Sequence, residues 1–146
     1  MEVTGQGTLI AGNDVAFQAA QDIVNNGGTI AWRQSVSLAA NNVQNLGGRI
    51  SGSTVGVLAA TDINNQGGTI DARNTLVATA GHDINSVSTT VATRNGVTSG
   101  TNISQEASMS VSEANGTLLA PAGRDLNLKA SSTSPPTTSP WPHNVT

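Results

Sequence analysis

A unit of twenty residues repeats along the first half of the chain, and it constrains the fold more than any single residue does. Gly27-Gly28-Thr29-Ile30, Gly47-Gly48-Arg49-Ile50 and Gly67-Gly68-Thr69-Ile70 stand at that interval, with an earlier copy at Gly7-Thr8-Leu9-Ile10. A second element follows each copy: Asp22-Ile23, Asn42-Val43, Asp62-Ile63 and, one residue late, Asp83-Ile84. A fixed period of this size belongs to solenoids, whose units bury their apolar side chains only by stacking on their neighbours.

Each unit reads as three short strands. The first is Thr29-Ile30-Ala31 and its copies, the second Val36-Ser37-Leu38-Ala39-Ala40, the third Asp62-Ile63-Asn64 and its copies. Within the second strand Val36, Leu38 and Ala40 face one way and Ser37 and Ala39 the other. A helical reading fails, because Gly-Gly pairs recur and Asn, Thr, Ser and Gly fill the space between apolar positions. Three strands and three turns describe one coil of a parallel β-helix, each coil stacked about 4.8 Å from the last. Ile10, Ile30, Ile50 and Ile70 then form one internal ladder, and Ile23, Val43, Ile63 and Ile84 another. The Gly-Gly pairs mark corners that need positive φ. The neighbouring Asn25, Asn26, Asn45, Asn64 and Asn65 suit turns and are placed to stack as amide ladders.

Composition fits a narrow layered core. Only 10% of residues are charged and 2% aromatic, beside 16 Gly, so Ile, Val, Leu and Ala must fill the interior. The formal charge of -3, without a basic stripe, excludes nucleic acid as an expected partner. The absence of Cys rules out disulfides and thiolate metal sites. No run is long and apolar enough for a transmembrane helix. Met1-Glu2-Val3-Thr4-Gly5 has neither the basic nor the apolar region of a signal peptide, so an export signal is expected outside these residues.

The chain divides into four expected segments. Residues 1–86 hold the regular repeats. Residues 87–115 form a Ser/Thr-rich, hairpin-like insertion, with strands expected at 88–93 and 102–110 around the turn signals Asn95-Gly96 and Ser99-Gly100. Residues 116–130 return to a further coil, Gly116-Thr117-Leu118-Leu119-Ala120 resembling the first strand and Ala122-Gly123-Arg124-Asp125-Leu126-Asn127-Leu128 the later ones. Residues 131–146 carry Pro135, Pro136, Pro140 and Pro142 among Ser and Thr, and are expected to be extended or disordered.

Ala11-Gly12-Asn13-Asp14-Val15, Ala80-Gly81-His82-Asp83-Ile84 and Ala122-Gly123-Arg124-Asp125-Leu126 resemble the A-G-x-D-[ILV] element of filamentous-haemagglutinin repeats, and the alternating Gly-Gly-x-Ile element resembles the other half of that signature. The Ser/Thr-rich interruption followed by residues 122–130 is similar to the later repeat region of contact-dependent-inhibition exoproteins. The resemblance covers about residues 5–130. It implies a right-handed parallel β-helix forming part of the shaft of a two-partner-secretion exoprotein of Gram-negative bacteria. In that setting the shaft stands on the outer cell surface and carries adhesive regions or a toxin. Its partners are the neighbouring coils of a longer exoprotein, an outer-membrane transporter, and the surface of a host or neighbouring cell. The chain shows neither the family's secretion domain nor a toxin domain and is read as a piece of such a shaft.

No catalytic residue, metal ligand or cofactor site is expected. Asp14, Asp22, Asp62, Asp83 and Asp125 are too widely spaced for a calcium β-roll and are read as turn caps accepting backbone N–H bonds. His82 occupies a variable position and is read as solvated; His143 lies in the tail, far from any set with triad logic. Trp32 breaks the repeat, since Gly52 and Ala72 are its counterparts. It either covers a corner of the core or serves as a surface contact for carbohydrate or protein. The acceptor patterns at Asn102, Asn115 and Asn144 are expected by chance in a chain rich in Asn, Ser and Thr. The runner-up function is a β-helical carbohydrate-binding or polysaccharide-acting protein, which needs clustered carboxylates that the repeat does not supply. Ice binding needs a regular Thr array, which Arg49 interrupts between Thr29 and Thr69.

Overall fold

The computed structural model describes residues 2–4, 9–95 and 98–129, with side chains for 12–90 and 105–129. The expected first copy at Gly7-Thr8, the turn at Gly96 and the tail 131–146 with His143 lie outside or partly outside these residues. All regular structure among the described residues is strand, wound into a parallel β-solenoid of about four turns.

Two parallel sheets face each other across the core. One stacks the short strands β1 (Glu2–Thr4), β3 (Asp22–Asn26), β5 (Asn42–Leu46), β7 (Ile63–Gln66), β9 (Ile84–Val87) and β14 (Leu126–Lys129) in that order. The other stacks the long strands β2 (Leu9–Gln18), β4 (Thr29–Ala40), β6 (Arg49–Ala59) and β8 (Thr69–Ala80). Between β9 and β14 the chain forms an antiparallel hairpin of β10 (Thr89–Asn95) and β11 (Thr98–Gln105), then β12 (Ser108–Val111) and β13 (Thr117–Leu119), which both pair with β8.

The register is the one the repeat predicts. Ile10, Ile30, Ile50 and Ile70 pair successively across β2, β4, β6 and β8, and Ile23, Val43, Ile63 and Ile84 across β3, β5, β7 and β9. Ile23, Ile30, Val43, Ile50, Ile63, Ile70 and Ile84 are all 0% exposed. Full burial of each contributes about 1.5–3 kcal/mol relative to exposure, and parallel stacking places each on its own kind.

Two strand assignments differ from the sequence reading. The expected first and second strands of each coil run together as one long strand with a bend, where the register slips between Gly12 and Asp14, Ala31 and Ser35, and Gly52 and Thr54. At the bend of β4, Arg33 and Gln34 are both exposed, so the inward place between Trp32 and Val36 is skipped. A bulge of this kind turns the strand while the ladder continues on both sides. Secondly, 108–110 does not close the hairpin. Ser108–Val111 takes the place expected for Gly116–Ala120, in register with Thr69–Ala72, and Thr117–Leu119 lies on Thr75–Val77. The hairpin interrupts the corner before the strand, so the strand after it resumes the coil where it was left.

Candidate functional site

The polar positions of the repeat act at the corners. Gly27, Gly47 and Gly67 have φ of 73°, 65° and 61°, the left-handed region open to glycine. The second glycine of each pair has a different task. A Cβ on Gly48 would collide with the Asn25 amide and lie 2.8 Å from Asn45 Oδ1; one on Gly68 would collide with the Asn45 amide and lie 2.8 Å from Asn65 Oδ1. The corner is therefore shaped around a buried asparagine column. Asn25 Nδ2 donates to Asn45 Oδ1, and Asn45 Nδ2 to Asn65 Oδ1, both at 2.8 Å; Asn65 Nδ2 then donates to Ser86 Oγ at 3.1 Å. The same amides donate to backbone carbonyls, Asn45 Nδ2 to Gly48 O at 3.0 Å and Asn65 Nδ2 to Ser108 O at 3.0 Å. The column ends at Asn25 Oδ1, which is buried without a partner.

A second column runs along the opposite corner. Asn42 donates Nδ2 to Asp22 Oδ1 at 2.9 Å, and its Oδ1 accepts the Asp62 N–H at 3.2 Å. Asp62 Oδ1 accepts the Asp83 N–H at 3.1 Å, and Asp83 Oδ1 the Asp125 N–H at 3.2 Å. Asp62 and Asp83 thus cap the start of the short strand one coil further on, while Asp22 accepts the side-chain amide of Asn42. Among the described residues no three His, Asp or Glu side chains converge to hold a metal ion. Asp14 stands apart, its Oδ1 accepting the Ser35 N–H at 3.1 Å and the Ser35 hydroxyl at 2.6 Å.

Asp14 also shows that the A-G-x-D elements are not all equivalent. Ala80-Gly81-His82-Asp83 and Ala122-Gly123-Arg124-Asp125 lie at the same corner of successive coils, joined by a bridge from Ala80 to Ala122. Ala11-Gly12-Asn13-Asp14 lies at the bend of the long strand instead, with Gly12 paired to Trp32. The sequence match groups corners that the winding separates.

Trp32 points inward and is 6% exposed, its ring edge-on to Phe17 with centroids 5.9 Å apart. Its Nε1 sits against Gly12, 2.7 Å from where a Cβ would stand, and has no hydrogen-bond partner. Of its two expected places, the indole occupies the corner of the core, filling the space left by Gly12. A shallow groove of about 610 Å³ lies beside it, lined by Gly12, Asn13, Ala31, Trp32 and Arg33. His82 is exposed. Arg49, which breaks the threonine column, pairs with Asp71 at 3.1 Å on the surface, an exposed pair contributing less than about 1 kcal/mol.

The seat of the hairpin was not legible from the repeat. Ser88 Oγ accepts the Ala107 N–H at 2.9 Å, closing the corner from which the hairpin leaves. Gln105 folds back over the preceding corners, its Oε1 3.0 Å from a Cβ built on Gly47 and its Cβ 2.9 Å from one on Gly67. Ala107 occupies the place of Gly68, since Ser108 pairs with Thr69.

Comparison of the chain with protein-family models, curated proteins and solved structures finds no match.

Proposed function

We propose that the chain is a segment of a rigid β-solenoid shaft belonging to a protein exported to the outer surface of a Gram-negative cell, where the shaft holds an adhesive region or a toxin away from the membrane. The observation that carries this reading is the use of the repeat. Its apolar ladders, its asparagine column and its carboxylate caps are all spent on contacts between one coil and the next. Such a chain acts by extension, gaining about 4.8 Å of length per coil. The similarity of the A-G-x-D and Gly-Gly-x-Ile elements to haemagglutinin repeats supplies the exported setting, the outer-membrane transporter as secretion partner, and a host or neighbouring cell as the surface met. The chain itself catalyses nothing in this role and holds no cofactor.

Two measurements test the proposal together. Reading the source genome on both sides of the coding region is expected to find in-frame repeats with a secretion domain, a partner transporter, or a toxin–immunity pair. Protease added to intact source cells is expected to remove the chain. A chain protected until the cells are broken, in a neighbourhood with none of these genes, refutes the exported shaft.

A further inference from the structure

Three Asn-Gly pairs stand in the chain, at 26–27, 95–96 and 115–116. Such a pair carries its own reaction. The nitrogen of the second residue attacks the side-chain carbonyl carbon of the first, and a glycine there, having no Cβ, leaves the approach open. That nitrogen must first leave its hydrogen bond. Gly96 lies outside the described residues, and the other two pairs differ in how the nitrogen is held. Gly27 forms a corner between coils: its φ is 73°, its N–H donates to Leu46 O at 2.9 Å, and Asn26 bridges to Gly47. Freeing its nitrogen means parting two coils. Asn115 sits instead on a loop that the repeat does not contain. Val111 pairs with Ala72 and Thr117 with Thr75, so five residues, 112–116, span what two residues span in β8. Ser112 and Glu113 donate their N–H groups to Ala72 O and Arg73 O at 3.0 and 2.9 Å, but Ala114 and Asn115 make no hydrogen bond among the described residues. The Gly116 N–H donates to Glu113 O at 3.0 Å, inside the loop. This bend is exposed in inner coils too, at Gln34 and Asn74, so the exposure of Asn115 comes from where the loop leaves the strand and not from the end of the sheet.

We infer that Asn115 is a site of spontaneous modification in the folded chain. The Gly116 nitrogen bonds to Asn115 Cγ, the bond from Cγ to Nδ2 breaks, and the displaced N–H proton leaves with the side-chain nitrogen as ammonia. One water then opens the cyclic imide at either carbonyl. The products are aspartate and isoaspartate, the second carrying the main chain through Cβ. Only one bond within an exposed loop has to open, which a folded protein does without unfolding as a whole. The isoaspartyl carbon lengthens the main chain beside a residue with no free space. A Cβ on Gly116 would collide with Val111 and lie 2.9 Å from Asn74 O and 3.0 Å from Glu113 O. The rearranged loop therefore loosens the seat of β13 on β8. The inference concerns this loop and holds whether or not the chain is exported.

The test ages the full chain at mildly alkaline pH, both folded and in concentrated urea. Tryptic peptides are then mapped by mass spectrometry, with fragmentation that separates isoaspartate from aspartate. In the folded chain Asn115 is expected to convert, mostly to isoaspartate, while Asn26 stays intact; in urea the two are expected to convert at comparable rates. If folding slows Asn115 as much as it slows Asn26, the site is overturned. Hydrogen exchange over residues 117–119 gives the second readout. It is expected to quicken in the aged chain and to be unchanged in fresh Asn115→Asp, which has the charge without the extra main-chain carbon. Asn115→Gln, whose longer side chain closes the ring far more slowly, is aged in parallel to subtract any change arising at Asn95. Equal quickening in fresh Asn115→Asp or in aged Asn115→Gln overturns the coupling to β13.

Discussion

The paired glycines of each corner separate two demands that look alike in the sequence. Gly47 is there for its backbone angle, Gly48 for the asparagine amides packed where its side chain would be. Asn is the non-glycine residue that best tolerates the left-handed region, and the Gln105 side chain facing Gly47 is exposed and can shift. Gly47→Asn is therefore expected to lower stability by about 1 kcal/mol or less. Gly48→Ala must displace a buried column and is expected to lower it by about 1–3 kcal/mol. Urea unfolding of the two variants checks the order, and equal losses would refute the distinction. Trp32 poses a similar question, because its position alone does not say which way the ring faces. With 6% exposure and Phe17 against it, Trp32→Ala is expected to lose about 3–5 kcal/mol. In a Trp141→Phe background, the remaining fluorescence is expected to resist acrylamide quenching. Strong quenching would place the indole at the surface, as a contact residue requires.

Among the elements, the asparagine column and the hairpin make contrasting claims. Asn45 has column neighbours on both sides, so Asn45→Ala strips the donor from Asn65 Oδ1 and one acceptor from Asn25 Nδ2. Unmade buried hydrogen bonds cost about 1–3 kcal/mol each, and the loss is expected to be about 2 kcal/mol or more. Asn25→Ala removes an acceptor that is already unpartnered and leaves Asn45 Oδ1 unpartnered in its place. The number of orphaned side-chain oxygens is unchanged and only the long bond to Arg49 O, at 3.3 Å, is lost besides, so the loss is expected to be less than half as large by thermal or urea unfolding. The hairpin, by contrast, is expected to be dispensable to the coil. Ser88 and Ala107 already meet across its base, in register with Gly67 and Gly68. Deleting residues 89–106 with Ser88→Gly rebuilds an ordinary corner and is expected to leave the far-ultraviolet spectrum of the solenoid and its cooperative melting intact. Loss of both would show that the hairpin holds the last coil in place.

For the whole molecule, stability comes from neighbour contacts repeated along one axis. Among the described residues the central coils have partners on both faces and the end coils on one. Hydrogen exchange is therefore expected to be slowest in β5, β6 and β7 and to quicken towards β2 and β14. Uniform protection would mean that the ends are covered. With 10% of residues charged and the Arg49–Asp71 pair exposed, raising sodium chloride from low concentration to about 0.5 M is expected to shift the melting temperature little.

How much of this could be read beforehand follows from what repetition controls. Translation by one coil maps each residue onto its equivalent, so the sequence by itself determined the parallel ladders, the burial of Ile30, Ile50 and Ile70, the left-handed glycines and the stacking of Asn25, Asn45 and Asn65. Anything set by contacts between different parts of a coil escaped it. The bend at Arg33–Gln34 is a bulge without a turn residue to announce it, so two strands were read where the ladder runs through. The indole of Trp32 faces inward because Gly12, its partner on the neighbouring strand, leaves it space. Ser108–Val111 rejoins the coil rather than the hairpin because Ser88 Oγ holds the Ala107 N–H and sets Ser108 on Thr69. Period and residue type decide which positions lie above one another; only the tertiary structure decides what lies across the core and where an interruption closes, because those contacts join residues that no translation relates.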